Sequence, residues 1–165
     1  MEQKKILITY FDKFCLRKDN YSKIVGKLLV EKLKCDSIML KVKWFGVKDL
    51  TELQKYIEEN KPEIIVAMGE IGVCKHNIQL ERVKSEDNNN FMRPTLENNI
   101  NVVYTKEKGI QSRFSPCLKV RNYLHRNAEK YKYVWEFIHI NRECESVKDI
   151  VDTIFCEVIS LSQIR

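Results

Sequence analysis

Short apolar runs alternate with amphipathic, helix-spaced stretches along this chain, and that alternation does most to restrict its fold. Lys5-Ile6-Leu7-Ile8-Thr9-Tyr10 reads as a buried strand, followed by a polar loop from Phe11 to Asn20. A helix is expected from about Tyr21 to Lys34, with Ile24, Val25, Leu28, Leu29 and Leu33 as its buried face. Ser37 to Val42 reads as a second strand. Val47, Leu50, Leu53 and Ile57 mark a second helix that ends near Asn60, before Pro62. Glu63 to Met68 reads as a third strand running into Gly69. Strands that return through helices build parallel pairs and need cover on both faces. The expected class is therefore α/β, a three-layer α/β/α sandwich with a mostly parallel, mixed central sheet.

The second half continues the pattern after a less regular middle. Ile78 and Leu80 alternate with Gln79 and Glu81, as in a half-buried strand, and Ser85 to Glu97 reads as a polar loop. Val102-Val103-Tyr104 is a short strand. Ser115-Pro116 signals a helix start, with proline suited to the first helical position, and that helix is expected to reach Tyr131. Tyr133 to Ile140 reads as a strand and Ser146 to Gln163 as an amphipathic helix. With no internal repeat, residues 1–165 are expected to form one domain.

Composition narrows the function. Glycine is scarce, 5 in 165 residues, and neither GxGxxG nor GxxxxGK[ST] occurs, which argues against the common dinucleotide and ATP cradles. The net charge of +6 is spread through mixed Lys/Glu stretches such as Glu31-Lys32-Leu33-Lys34, a solvated surface rather than a nucleic-acid face. The six cysteines include no CxxC pair, so zinc-ribbon and thioredoxin motifs are absent and no metal or cofactor is expected. No apolar run approaches the roughly 20 residues of a membrane span, and the start does not read as a secretory signal. The expected setting is the cytoplasm, with reduced cysteines, most of them small core residues.

In sheets of this class, sites gather at the carboxyl ends of parallel strands. Phe11-Asp12-Lys13-Phe14, Gly69-Glu70-Ile71-Gly72, Cys117 and His139 all fall there. Cys117 is placed in the first turn of a helix, where free N–H groups and the helix dipole favour a thiolate, the attacking form of cysteine. His125 is eight residues further along the same helix. That is roughly 12 Å at 1.5 Å per residue, too far for it to serve as the base. His139 belongs to a neighbouring element and can fold back onto Cys117.

The order Glu, Cys, His and the words around it resemble the pyroglutamyl peptidase (pyrrolidone-carboxylate peptidase) family of cysteine peptidases. The family's Gly-Phe-x-Pro-Phe-Gly loop and its Asn-Pro-Ser are similar to Tyr10-Phe11-Asp12-Lys13-Phe14-Cys15 and Asn20-Tyr21-Ser22. Its Lys-Pro-Asp-x-(apolar)-Gly strand is similar to Lys61-Pro62-Glu63 through Gly69. Its Ile-x-x-Glu-Arg-x-Ala resembles Ile78-Gln79-Leu80-Glu81-Arg82-Val83-Lys84. Its Gly-Phe-Ile-His-(apolar)-Pro resembles Glu136-Phe137-Ile138-His139-Ile140-Asn141. The resemblance runs over most of the chain, and between Glu81 and Cys117 the chain is shorter than the family by about one helix–strand unit.

What the resemblance implies is a Cys117–His139–Glu81 triad that removes N-terminal pyroglutamate from peptides, needing no cofactor. Phe11 and Phe14 would sandwich the lactam ring. Asn20, Glu70 and Arg93 would complete the substrate site, with Glu70 in the family's glycine-rich loop and Arg93 near the oxyanion. Partners would be pyroglutamyl peptides, neither nucleic acid nor membrane, and a homo-oligomer stays open. The family's Ser-Ala-Gly-Thr-Tyr-x-Cys-Asn corresponds to Ser112-Arg113-Phe114-Ser115-Pro116-Cys117-Leu118, without its Gly-Thr pair or the Asn after Cys. With a one-residue shortening Cys117 takes the nucleophile's place. Without it, Pro116 or Val120 stands there and the chain is an inactive homologue that binds a peptide or a protein.

Overall fold

A computed structural model of the chain describes residues 4–13, 18–43, 46–47, 50–72, 77–83, 100–105, 116–143 and 146–163. The strands β1 (Ile6–Phe11), β2 (Asp36–Leu40), β5 (Ile64–Ile71), β6 (Ile78–Val83), β7 (Ile100–Thr105) and β8 (Val134–Asn141) form one sheet in the order β2-β1-β5-β8-β6-β7. The first four of these in spatial order run parallel, β6 pairs antiparallel with β8, and β7 runs parallel to β6. A two-stranded ribbon of β3 (Val42–Lys43) and β4 (Gly46–Val47) stands apart. The helices are α1 (Tyr21–Leu33), α2 (Thr51–Asn60), α3 (Pro116–Tyr131) and α4 (Val147–Ser162). The fold is thus α/β/α with a mixed, mostly parallel sheet.

Strand parity divides the core. Ile6, Ile8 and Tyr10 of β1, with Ile64, Val66 and Met68 of β5 and Ile138 and Ile140 of β8, pack beneath α1 and α4. Leu7 and Phe11, Ile65 and Ala67, and Phe137 face the other way, onto Leu53 and Ile57 of α2 and Val120 and Leu124 of α3. Successive residues of a strand point to opposite faces, so each central strand feeds both layers and reads as a continuous apolar run. The face to which each side chain belongs decides which residues can meet at a site.

Local differences from the expectations have simple causes. On α1 the buried stripe is Ser22, Val25, Gly26, Leu29 and Leu33, while Leu28, expected inside, is 42% exposed. Gly26 sits so close to β1 that a Cβ there would lie 2.5 Å from Cδ1 of Tyr10, and this close approach rotates the helix away from the apolar count. Val47 belongs to β4, where it pairs with Val42, so α2 starts only at Thr51. The third strand does not stop at Gly69. It runs to Ile71, because β8 continues beside it and pairs Gly69, Glu70 and Ile71 with His139, Ile140 and Asn141. The Ser85–Glu97 loop lies outside the described residues.

Scarce glycine leaves a mark as well. Lys34, Lys61 and Lys132 each have positive φ (52°, 48° and 58°) directly after α1, α2 and α3. That left-handed position is usually glycine's. At the first two, the cap N–H donates back to Val30 O and Ile57 O, closing the helix end. No described helix is long and apolar enough to cross a membrane.

Candidate active site

Glu81 and His139 come from the antiparallel pair β6–β8. Register sets Gln79 opposite His139 and Glu81 opposite Phe137. Phe137 and His139 are two apart and share a face, so Glu81 meets His139 on the diagonal, within reach of a long side chain. The result is a contact of 2.5 Å between His139 Nδ1 and Glu81 Oε1, with both side chains buried. The ring N–H does not point squarely at the oxygen, so the contact is an ion pair rather than a well-directed hydrogen bond. The imidazole also stands edge-on to the Phe137 ring, 5.1 Å between centroids.

Cys117 reaches the same point from above. It is the second residue of α3, half-buried against the α2/α3 core layer, and its thiol is a free one. β5 makes the room: on its α3 face Ala67 is followed by Gly69, the register partner of His139. A Cβ at Gly69 would lie 2.6 Å from Cys117 Sγ and 3.3 Å from His139 Nε2. The sulfur and the imidazole therefore converge over the bare backbone of Gly69, within hydrogen-bonding range of each other. Glycine inside a strand often marks such a close approach.

The electrostatics follow from this geometry. Burial alone would depress the His139 imidazole. The hydrogen bond with Cys117, the pairing with Glu81 and the associated charges outweigh it and push the imidazole up to about 10. Burial likewise raises the Glu81 carboxyl, but pairing with His139 and Arg121 overcomes it and holds the carboxyl below its usual range. The structure thus favours an imidazolium between a sulfur and a carboxylate.

Arg121 is a part of the site that the sequence reading passed over. Its side chain is buried, with the residue 1% exposed, and Nη1 donates to Glu81 Oε2 at 3.2 Å. Its Nε and Nη2 both donate to Asn122 Oδ1, at 3.2 and 2.9 Å. A signal was available: Cys117, Val120, Arg121 and Leu124 follow the i, i+3, i+4, i+7 spacing of one helix face, and an arginine inside such a stripe needs an ionic partner. Gly69 falls in an expected site segment, but its particular role, making room for the Cys117 sulfur beside His139, depends on a neighbour brought in by the fold.

Of the other expected site residues that are described, Phe11 shares the α2/α3 layer with Cys117, whereas Asn20 and Glu70 stand at the start of α1. Phe11 is 3% exposed, packed in the α2/α3 layer, with its N–H donating to Ser22 Oγ. Asn20 caps α1, its Oδ1 accepting from Ser22 N–H at 2.9 Å and Ser22 Oγ at 2.6 Å. Glu70 points to the opposite face from Gly69: Oε2 accepts from Tyr21 N–H at the start of α1, and Oε1 pairs with Arg142. Phe14 and Arg93 lie outside the described residues. Among the described residues no group of His, Cys, Asp and Glu is arranged to hold a metal ion.

No family model matches the chain, and no curated protein sequence does. Solved structures do match it in fold. The pyroglutamyl peptidase I of Bacillus amyloliquefaciens is 17% identical, with 99% of this chain and 97% of that one covered and a TM-score of 0.65. The pyrrolidone carboxyl peptidase of Thermococcus litoralis is 20% identical over 96% and 93%, with a TM-score of 0.66. That of the keratin-degrading Fervidobacterium islandicum is 16% identical over 95% and 96%, at 0.60. At these identities the likeness is one of fold.

Proposed function

We propose that this chain is a cysteine exopeptidase of the pyroglutamyl peptidase kind, removing pyroglutamate from the N-termini of peptides. The observation that carries the reading is the convergence of Cys117, His139 and Glu81 on one face of the sheet, with sulfur and imidazole meeting above Gly69. The motif resemblance at Glu81 and His139 supports it, as does the likeness in fold to structures that carry that peptidase's name.

The chemistry follows from these positions. The Cys117 thiolate attacks the lactam-bearing carbonyl while the imidazolium of His139 holds the proton that the departing amine will need. Glu81 fixes the ring through Nδ1 and balances its positive charge. Cys117 stands in the first turn of α3, the positive end of the helix dipole, which favours the negative charge that develops there. The departing peptide amine takes the proton from His139. Water, activated by the same imidazole, then clears the thioester and releases free pyroglutamate. Phe11, Phe14, Asn20, Glu70 and Arg93 carry over as the proposed substrate-site residues, Asn20 and Glu70 acting through the start of α1.

The test is hydrolysis of a pyroglutamyl-coumarin amide by the reduced protein, alongside C117S. Turnover that falls about a thousandfold or more in C117S, with the fold unchanged, is the expected result. No turnover by folded, reduced protein overturns the reading. That outcome would favour the inactive homologue that binds a peptide or a protein, to which the missing Gly-Thr pair and the basic Lys13 point.

A further inference from the structure

We propose that Arg121 is a positioning residue that clamps Glu81, so that the carboxylate presents a single oxygen to His139 Nδ1. The proposal rests on the reading of Cys117, His139 and Glu81 as a catalytic set, and extends it to a fourth member. Three observations support it. First, the carboxylate is held from both ends: Oε1 faces His139 from β8 and Oε2 takes Nη1 of Arg121 from α3. Second, the guanidinium is itself fixed, its Nε–Nη2 edge lying on Asn122 Oδ1 and leaving Nη1 for Glu81. Third, Arg121 lies one turn below Cys117 on the same face of α3, at i and i+4, so a single rigid helix sets both the sulfur and the clamp against the sheet.

Packing does not explain the residue. Position 121 stands in the buried stripe with Val120 and Leu124, where an apolar side chain of similar volume would fill the space without the cost of desolvating a charge. What an apolar residue cannot do is hold the far oxygen of Glu81. Charges alternate from the His139 imidazolium through the Glu81 carboxylate to the Arg121 guanidinium. Without the last, the buried carboxylate is free to swing about its end and to take up a proton more readily.

The experiment follows the Glu81 side-chain carboxyl by carbon NMR titration in wild type, R121M and R121K, with E81Q to assign the signal. In R121M the Glu81 midpoint should rise by one pH unit or more, and R121K should restore most of it. On the pyroglutamyl amide, kcat should fall about ten- to a hundredfold in R121M with KM within about twofold, and the acid limb of kcat should move to higher pH with the carboxyl. A folded R121M whose Glu81 midpoint does not move overturns the proposal. Should R121M fail to fold, nitrogen NMR of the Arg121 guanidinium decides: separate, slowly exchanging Nη signals in wild type should merge in E81Q, and unchanged signals overturn it. A wild type without turnover but with a Glu81 midpoint governed by Arg121 removes the peptidase reading and keeps the clamp. Turnover with an unmoved midpoint does the reverse.

Discussion

His139 Nδ1 lies 2.5 Å from Glu81 Oε1, on the diagonal of the one antiparallel pairing that β8 makes. In the parallel pairing on its other side, β8 sets Gly69 beside His139, and the bare glycine backbone leaves room for Cys117. The histidine thus has a carboxylate on one flank and a sulfur over the other. The reversal of strand direction between β8 and β6 brings Glu81 into line from a segment more than fifty residues earlier in the chain.

That arrangement predicts a pH dependence of stability with a definite sign. The His139 imidazole is raised from 6.5 to about 10, so its contribution is full below about pH 6.5 and is lost as pH rises through about 10. The Glu81 carboxyl is lowered from 4.5, so its contribution is present above about pH 4.5 and is lost as pH falls through its lowered value. Urea melts of the reduced protein should show the alkaline decline, H139Q should flatten it, and C117A should move it to lower pH. An alkaline arm identical in wild type and H139Q would refute the assignment.

Gly69 should tolerate no side chain. In G69A the new Cβ would meet Cys117 Sγ at 2.6 Å, so the sulfur must leave its place beside His139. Loss of kcat of at least about a hundredfold is expected, together with an overpacking cost of about 1–3 kcal/mol by chemical denaturation. Wild-type turnover in G69A would mean that the sulfur does not act from this position.

The lysines that end α1 and α2 should be better as glycine. K34G and K61G each relieve a left-handed backbone, φ 52° and 48°. The steric relief of about 1–2 kcal/mol, less glycine's larger entropy loss, should leave a gain of up to about 1 kcal/mol per site. Thermal melts check this directly, and K27G, in the middle of α1, is the control that should lose about 1 kcal/mol instead.

The strands and helices were legible wherever apolar periodicity was strong. β1, α1, β8 and α4 fall within a residue or so of the expected bounds, because their buried faces leave a period of 2 or 3.6 in the chain. Legibility failed where a neighbour decides. β5 continues through Gly69 and Glu70 because β8 pairs with it, and Val47 joins a ribbon because Val42 lies opposite. Leu28 looks like core by count and is exposed because Gly26 lets Tyr10 set the rotation of α1.

The sequence by itself determined the α/β class, the layered core and the residue types at the candidate site, since burial pattern and side-chain chemistry are written locally. Only the tertiary structure decided which of those side chains meet. Asn20 and Glu70 are engaged at the start of α1, Phe11 lies in the core layer that Cys117 packs against, and Gly69 and Arg121 join Glu81, Cys117 and His139. The physical reason is register. A single-residue shift of a strand moves every side chain to the opposite face, and which register holds depends on the pairing of distant segments rather than on any one of them.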